Sequence, residues 1–362
     1  MPCLNAEEAL TNTKPLKVGL VGCGGRGLGA MKNALDADPG TIAWALADVF
    51  QERIDFGAKL LAEQYGNRAR LDRSRLFSGL DSYKRLLQTD IDVVLLCTPP
   101  AFRPEHLAVA IDASKHIYAE KPVAVDVPGV LSVLESARLA KLKNLVILDG
   151  FCWRYDKANE EAHRKLSSGQ LGRVLSFDGL YYTTPPKSPL ALDSRPSSDT
   201  DVAWALRNWT AWNWLSGGQF VEQIVHTIDG MVWSMNEQLP LAAFGSGGRA
   251  QRRDDGDVWD HYDVYFEYGH NVTAHISCWL LPTAPTFRRI TAGVSAGNAA
   301  ICTQTRMWPF TVSCAPAPGP RHWKAQPIKP WLPSWGVKRP TQASALPGNR
   351  LRKAPHGWCL KT

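Results

Sequence analysis

LKVGLVGCGGRGLGAMK, residues 16–32, decides how the rest of the chain is read. Leu16–Val21 is a short apolar run that suits a strand buried on both faces, and a helix is expected from about Leu28. Between them Gly22, Gly24 and Gly27 complete a G-x-G-x-x-G run, with Gly25 and Arg26 inside the same loop. Each glycine has its own role. Gly22 permits the tight turn, Gly24 lets a pyrophosphate approach the backbone, and Gly27 lets the helix pack close to the strand. The free N–H groups at the helix start, helped by the helix dipole, then face the phosphates. The spacing alone is a weak signal. The strand before it and the helix after it make it a dinucleotide-binding turn.

The next expected strand, Thr41–Ala47 (TIAWALA), ends at Asp48. An acid at that strand end accepts hydrogen bonds from ribose hydroxyls and repels a 2′-phosphate, which favours NAD over NADP. Arg53 is near enough to keep NADP open, and Asp48 could instead cap a helix expected over Gln51–Tyr65. Residues 67–77 are arginine-rich and read as a solvated loop. Ile91–Cys97 (IDVVLLC) is a buried-strand run that ends in Thr98-Pro99-Pro100. A helix over Glu105–Ala113 and a strand over His116–Ala119 follow, leading into Glu120-Lys121-Pro122. A helix over Pro128–Lys143 and a strand over Leu145–Leu148 complete an alternating pattern. That pattern implies an α/β fold whose first part, about residues 1–150, is a Rossmann doubly wound parallel sheet. Ligands of such sheets lie beyond the strands' carboxyl ends, so Asp48, Thr98 and Lys121 converge by topology.

Residues 151–281 change character and read as a substrate-binding α+β domain. Phe151–Tyr155 (FCWRY) is followed by a helix over Asp156–Ser168 and an alternating stretch, Arg173–Thr183, that suits an antiparallel strand. Gly217-Gly218 precede a helix expected over Gln219–Met235. On it Glu222, His226 and Asp229 stand at i, i+4 and i+7, on one face of an otherwise apolar helix. Burying such a trio is costly unless it is paired or used. A histidine beside a carboxylate can act as a general base near neutral pH; a hydrogen-bonded pair that only stabilises the core is the alternative. Trp204, Trp209, Trp212 and Trp214 crowd the preceding segment, as core or as stacking faces for sugar rings. Leu241–Arg249, Trp259–Tyr268 and Asn271–Leu281 read as strands, the last two a hairpin at Gly269-His270. Together they suggest an open, mostly antiparallel sheet backed by helices.

The order G-x-G-x-x-G, Asp48, Thr98-Pro99-Pro100, Glu120-Lys121-Pro122 resembles the glucose–fructose oxidoreductase/inositol dehydrogenase family, also called Gfo/Idh/MocA. The string TPPAFRPEHLAVAIDASKHIYAEKPVAVD, residues 98–126, is similar to that family throughout, and the likeness spans roughly residues 15–280. The resemblance implies a nicotinamide dinucleotide with Thr98 and Pro99 beside it, Lys121 at the reacting carbon, and Glu120 orienting Lys121. A lysine suits that place. A hydroxyl that loses hydride from its carbon must also lose its proton, and an amine made less basic by burial can take it. The family places an acid-x-x-x-His pair on the later helix, its histidine on the reacting hydroxyl. Glu222 and His226 match that spacing, with glutamate where aspartate is usual. The implied activity is NAD-dependent hydride transfer at a hydroxyl-bearing carbon of a sugar, sugar derivative or cyclitol. Some members instead use NAD transiently to cleave glycosides by oxidation and elimination. A third reading is a chain that binds nucleotide without turnover. The family's second sheet often forms an oligomer interface, so a homo-oligomer is expected.

The net charge of +7 is unevenly placed. Residues 268–362 hold 12 Lys and Arg and no Asp or Glu, so residues 1–267 are acidic overall and no nucleic-acid partner is expected. Residues 282–362 also hold 12 of the 25 prolines and 5 of the 14 tryptophans, without sustained periodicity. A basic arm, a proline-rich extension and a slipped reading frame all give such a tail. The abrupt change favours the last, which would leave the second sheet short of its final strands with an open edge. No apolar stretch reaches about 18 residues, so no membrane span is expected. The first residues lack a signal peptide's basic start and apolar run, so the expected address is cytoplasmic. The eight cysteines contain no C-x-x-C pair, so neither a metal site nor a disulfide framework is expected.

Overall fold

Apolar strands alternating with amphipathic helices build the first sheet, as the sequence pattern requires. The computed structural model describes residues 14–184, 190–280, 300–305 and 308–315. In chain order the first half runs β1 (Leu16–Val21), α1 (Gly25–Ala37), β2 (Thr41–Asp48), α2 (Gln51–Tyr65), β3 (Leu76–Ser78) and α3 (Ser82–Leu87). It continues through β4 (Val93–Leu96), α4 (Arg103–Asp112), β5 (His116–Ala119), α5 (Val127–Leu142) and β6 (Ile147–Asp149). The six strands lie in the order β3-β2-β1-β4-β5-β6, and every pair is parallel. Helices on both faces leave Leu20, Leu46, Val94 and Leu96 fully buried. The strand order reverses between β1 and β4, where a crevice for ligand opens.

The arginine-rich stretch is not simply a solvated loop. It ends in β3 at the sheet edge, where Arg75 donates to the Trp44 carbonyl at 2.9 Å and lays its guanidinium 3.9 Å from the Trp44 ring centroid. The arginine stems cover apolar surface while their charges satisfy carbonyls.

The second half begins with α6 (Lys157–Ser167), whose N-terminus Asp156 caps by accepting from the Ala158 and Asn159 N–H groups. Then come β7 (Arg173–Thr183), α7 (Asp201–Arg207), α8 (Asn213–Ser216), a π-turn (Phe220–Ile224) and α9 (Val225–Ser234). β8 (Ala242–Gly248), β9 (His261–Tyr268), β10 (Val272–Leu280), β11 (Ala300–Thr305) and β12 (Trp308–Ala315) follow. The second sheet has the order β11-β12-β7-β10-β9-β8. Its core packs Ile224 and Met231 from the helical side onto Phe177, Ile276 and Val312. Gly179 on β7 permits this closeness, since a Cβ there would lie 2.4 Å from Thr227 Cγ2.

Three expectations need correction. β7 is antiparallel to β12, as expected, but parallel to its other neighbour, β10. The helix expected over Gln219–Met235 is broken in register by the π-turn. The second sheet does not stop at Leu281: β11 and β12 extend it past β7, with Val312 and Cys314 buried at strand spacing. So short an alternation is lost against the long aperiodic tail around it. The reading-frame question covers residues 282–362, of which 282–299, 306–307 and 316–362 lie outside the described residues. Among the described residues, no helix is long and apolar enough to cross a membrane.

Candidate active site

The turn after β1 has the geometry that its glycines predict. Gly22 has φ +97°, and a Cβ there would lie 2.8 Å from the Cys97 carbonyl carbon and oxygen. A Cβ on Gly27 would come within 1.8 Å of the Gly22 oxygen, so α1 can pack this closely only with glycine. Gly24 and Gly25 are different, for nothing lies within 4 Å of where their side chains would be. Gly24 is the N-cap of α1 and offers no side-chain cap, so the first-turn N–H groups face open space. These bare donors beside an open cradle fit a dinucleotide pyrophosphate. The cleft in front of them encloses about 1220 Å³, part of it open to solvent. Its walls include Asp48, Arg53, Thr98 and Pro99 from the first half and Leu206 and Trp209 from the second.

Asp48 is buried, and it ties the site's loops together. One carboxylate oxygen accepts from the Cys23 N–H at 2.7 Å and the other from the Phe50 N–H at 3.0 Å. Each oxygen keeps acceptor capacity for a further donor. Arg53 stands 3.9 Å from the same carboxylate.

β5 delivers Glu120 and Lys121, and their side chains part company. Glu120 accepts from Arg26 Nε at 2.6 Å and from the Tyr118 hydroxyl at 2.8 Å, so it anchors the glycine loop rather than Lys121. The Lys121–Pro122 peptide bond is cis. Beneath it Arg103 is fully buried and donates to the Glu120, Pro122 and Thr98 carbonyls, fixing the strand ends from below. Thr98 Oγ1 lies 3.2 Å from His106 Nδ1. The His106 ring stacks on Tyr83 at 4.0 Å, and its pKa falls to about 3 through burial and the Arg103 and Lys84 charges.

Lys121 crosses to the second half. Its Nζ donates to the Glu222 carbonyl at 2.6 Å and to Glu222 Oε1 at 3.1 Å. Glu222 sits in the π-turn, whose wider i→i+5 bonding disturbs the α-helical ladder and frees main-chain acceptors at such sites. Burial raises the Glu222 pKa and the Lys121 charge opposes that rise. One turn on, His226 is buried, stacked on Trp153 with centroids 4.5 Å apart and edge-on to Phe151. Burial, then the Lys121 charge, depresses its pKa to about 3, so the ring is neutral at ordinary pH. Asp229 has another partner. Arg154 grips it through bonds of 2.7–3.1 Å and also reaches Glu237 at 3.0 Å. Burial raises the Asp229 pKa, and Arg154 opposes that shift.

The structure therefore brings Gly22, Gly24, Gly25, Arg26, Gly27, Asp48, Thr98 and Pro99 around one cleft. Lys121, Glu222 and His226 form a second cluster, and Asp229 belongs to a separate ion pair. Sequence reasoning missed Arg103, His106 and Trp153. A buried arginine leaves no periodic trace; Trp153, next to the last strand of the first sheet, was the one legible hint.

Residues 16–147 match the family model described as "Oxidoreductase family, NAD-binding Rossmann fold", and residues 159–295 the one described as "GFO/IDH/MocA C-terminal domain". Among curated proteins, the chain is 28% identical over 181 residues to dTDP-3,4-didehydro-2,6-dideoxy-alpha-D-glucose 3-reductase of Actinomadura kijaniata, covering 50% of this chain and 49% of that protein. It is 24% identical over 227 residues to inositol 2-dehydrogenase of Salmonella typhimurium, covering 61% and 55%. The chain thus spans about half the length of the curated relatives it matches. Among solved structures, aldose-aldose oxidoreductase from Caulobacter crescentus complexed with glycerol shares the fold with a TM-score of 0.57 and 18% identity, over 74% of this chain and 71% of that one.

Proposed function

The chain belongs to the Gfo/Idh/MocA oxidoreductase family, and from that premise we propose that it transfers a hydride between NAD and a hydroxyl-bearing carbon of a sugar, sugar derivative or cyclitol. The observation that carries the proposal is the Lys121 amine at the end of β5, held at 2.6 Å by the turn that leads into the helix of His226. One group comes from each half of the chain, and Lys121 directly follows Glu120, which bonds Arg26 of the cleft wall. Relatives named as a sugar-nucleotide reductase and an inositol dehydrogenase support the substrate class.

When bound, the nicotinamide ring accepts or returns the hydride. The chain's residues hold the nucleotide and manage the proton. Gly24, Gly25 and the α1 N-terminus receive the pyrophosphate. Asp48 takes the ribose hydroxyls, and its charge disfavours a 2′-phosphate, hence NAD over NADP. Lys121 donates to the carbonyl and the carboxylate of Glu222, and the amine so held is the group assigned to the reacting oxygen. His226, one turn on from Glu222, is the group assigned to accept the hydroxyl proton as the carbon gives up hydride.

The test is a panel of sugars and cyclitols with NAD, read by NADH absorbance. Lys121→Ala should lower kcat by about a thousandfold or more while NAD affinity by calorimetry stays within about threefold. Unimpaired turnover in that variant would remove Lys121 from the chemistry and sink the proposal.

A further inference from the structure

The β2–α2 turn, which carries Asp48, is held from outside by the second half of the chain. Arg207, at the end of α7, donates from Nη1 to Glu52 Oε1 at 2.6 Å and from Nε to Asp199 Oδ2 at 2.7 Å. Its guanidinium carbon lies 3.9 Å from the Phe50 ring centroid. Ala205, Leu206 and Leu215 are buried in one cluster with Phe50. Leu206 and Trp209 from the same segment wall the nucleotide cleft opposite the glycine loop. Phe50 is in turn bonded through its N–H to Asp48, and Asp48 to the Cys23 N–H of that loop. A continuous run of contacts therefore leads from α7 to the phosphate cradle.

We propose that Arg207 is a positioning residue for the cofactor site: with Glu52 it latches α7 across the ribose end of the cleft and sets how fast a dinucleotide enters and leaves. This rests on the nucleotide-binding reading above. Every contact in the latch is made between residues of the chain, so the same contacts must open on the way in and on the way out. That predicts a kinetic signature. Breaking the latch speeds association and dissociation together and leaves the equilibrium constant nearly where it was. A residue that merely supports the fold, or that touches the nucleotide, would instead weaken affinity. The Glu52 carboxylate is more than half exposed, so salt screens this pair more than it would a buried one.

The experiment is stopped-flow NADH binding to the full-length chain and to Glu52→Gln, chosen because Glu52 lies at the surface and its loss spares the packed cluster. Both rate constants should rise about tenfold, with Kd within about twofold; this is one decade in an equilibrium or rate ratio. The wild-type rates should climb with ionic strength and those of Glu52→Gln should not. Unchanged rates in Glu52→Gln, or a rise in Kd that matches the faster release, would overturn the latch. Failure of the wild-type chain to bind NADH at all would overturn the nucleotide reading itself.

Discussion

The proposed nucleotide end and the proposed proton-handling end of this site are built on different physical grounds. At the first, backbone geometry decides: a Cβ on Gly27 would lie 1.8 Å from the Gly22 carbonyl oxygen, while nothing lies within 4 Å of where a Gly24 side chain would be. At the second, charged and aromatic side chains act from burial: Lys121 on Glu222, Arg154 on Asp229, His226 against Trp153. A backbone requirement tolerates no side chain at all. A side-chain requirement tolerates substitution to the extent that the partner left behind can neutralise itself or rotate away. The two ends should therefore fail in different ways.

The sharpest break should come from Gly27→Ala. Its Cβ would overlap the Gly22 carbonyl, and the strand–helix joint must open to admit it, at about 3 kcal/mol or more. Urea unfolding should show that loss together with abolished NAD binding. Gly24→Ala has open space instead. It should leave unfolding within about 0.5 kcal/mol of wild type and weaken only NAD binding, by calorimetry. If both variants lost stability equally, the division of roles between the glycines would be wrong.

Next in size is a pH effect from the side-chain half and its neighbour. His226 and His106 titrate near 3 in the folded chain and near 6.5 when unfolded. The unfolded state therefore binds their protons first, and stability falls as pH drops through 6.5 toward 3. At pH 5 each costs about 2 kcal/mol relative to pH 7. Glu222 and Asp229 act the other way, because their raised pKa values let the folded state take up protons before the unfolded one does. The net loss between pH 7 and pH 5 should be visible in denaturant midpoints and should shrink in His106→Asn. A fall in stability between pH 7 and pH 5 as large in His106→Asn as in the unchanged chain would mean that the His106 imidazole is not held neutral.

The same contrast explains what could be read in advance. Gly22, Gly24 and Gly27 were legible because a backbone geometry demands one residue type at fixed spacing. The family of the chain was legible because three strand ends carry short motifs in a set order. The resemblance makes Glu120 the group that orients Lys121, but in the structure Glu120 bonds Arg26 and Tyr118. Arg26, the partner of Glu120, lies 94 residues away at the start of α1. Glu222 and Asp229 fall on one face of an ideal helix, yet the π-turn inserts a change of register that no apolar period announces. Their partners, Lys121 and Arg154, come from separate loops, so one apparent stripe resolves into two ion pairs.

Asp48→Ser tests the backbone end more gently. It removes the charge that disfavours a 2′-phosphate and leaves a hydroxyl for one of the two N–H groups it now serves. The NADP-to-NAD ratio of kcat/KM should rise about tenfold, with Arg53 free to meet the phosphate. An unchanged ratio would mean that the carboxylate only holds the loop.

The smallest effect separates the two ion pairs. Asp229 is gripped by Arg154, so Asp229→Asn should cost about 1–3 kcal/mol of stability by leaving a half-buried guanidinium with one partner fewer. Glu237 remains beside Arg154 to absorb part of that loss. Because Lys121 and His226 keep their own contacts, kcat should change less than about threefold, and His226→Ala should abolish it. A fall in kcat for Asp229→Asn comparable to that of His226→Ala would return Asp229 to the chemistry. The helix would then act as the single polar stripe its spacing first suggested, and the split into a proton-handling cluster and a supporting ion pair would not hold.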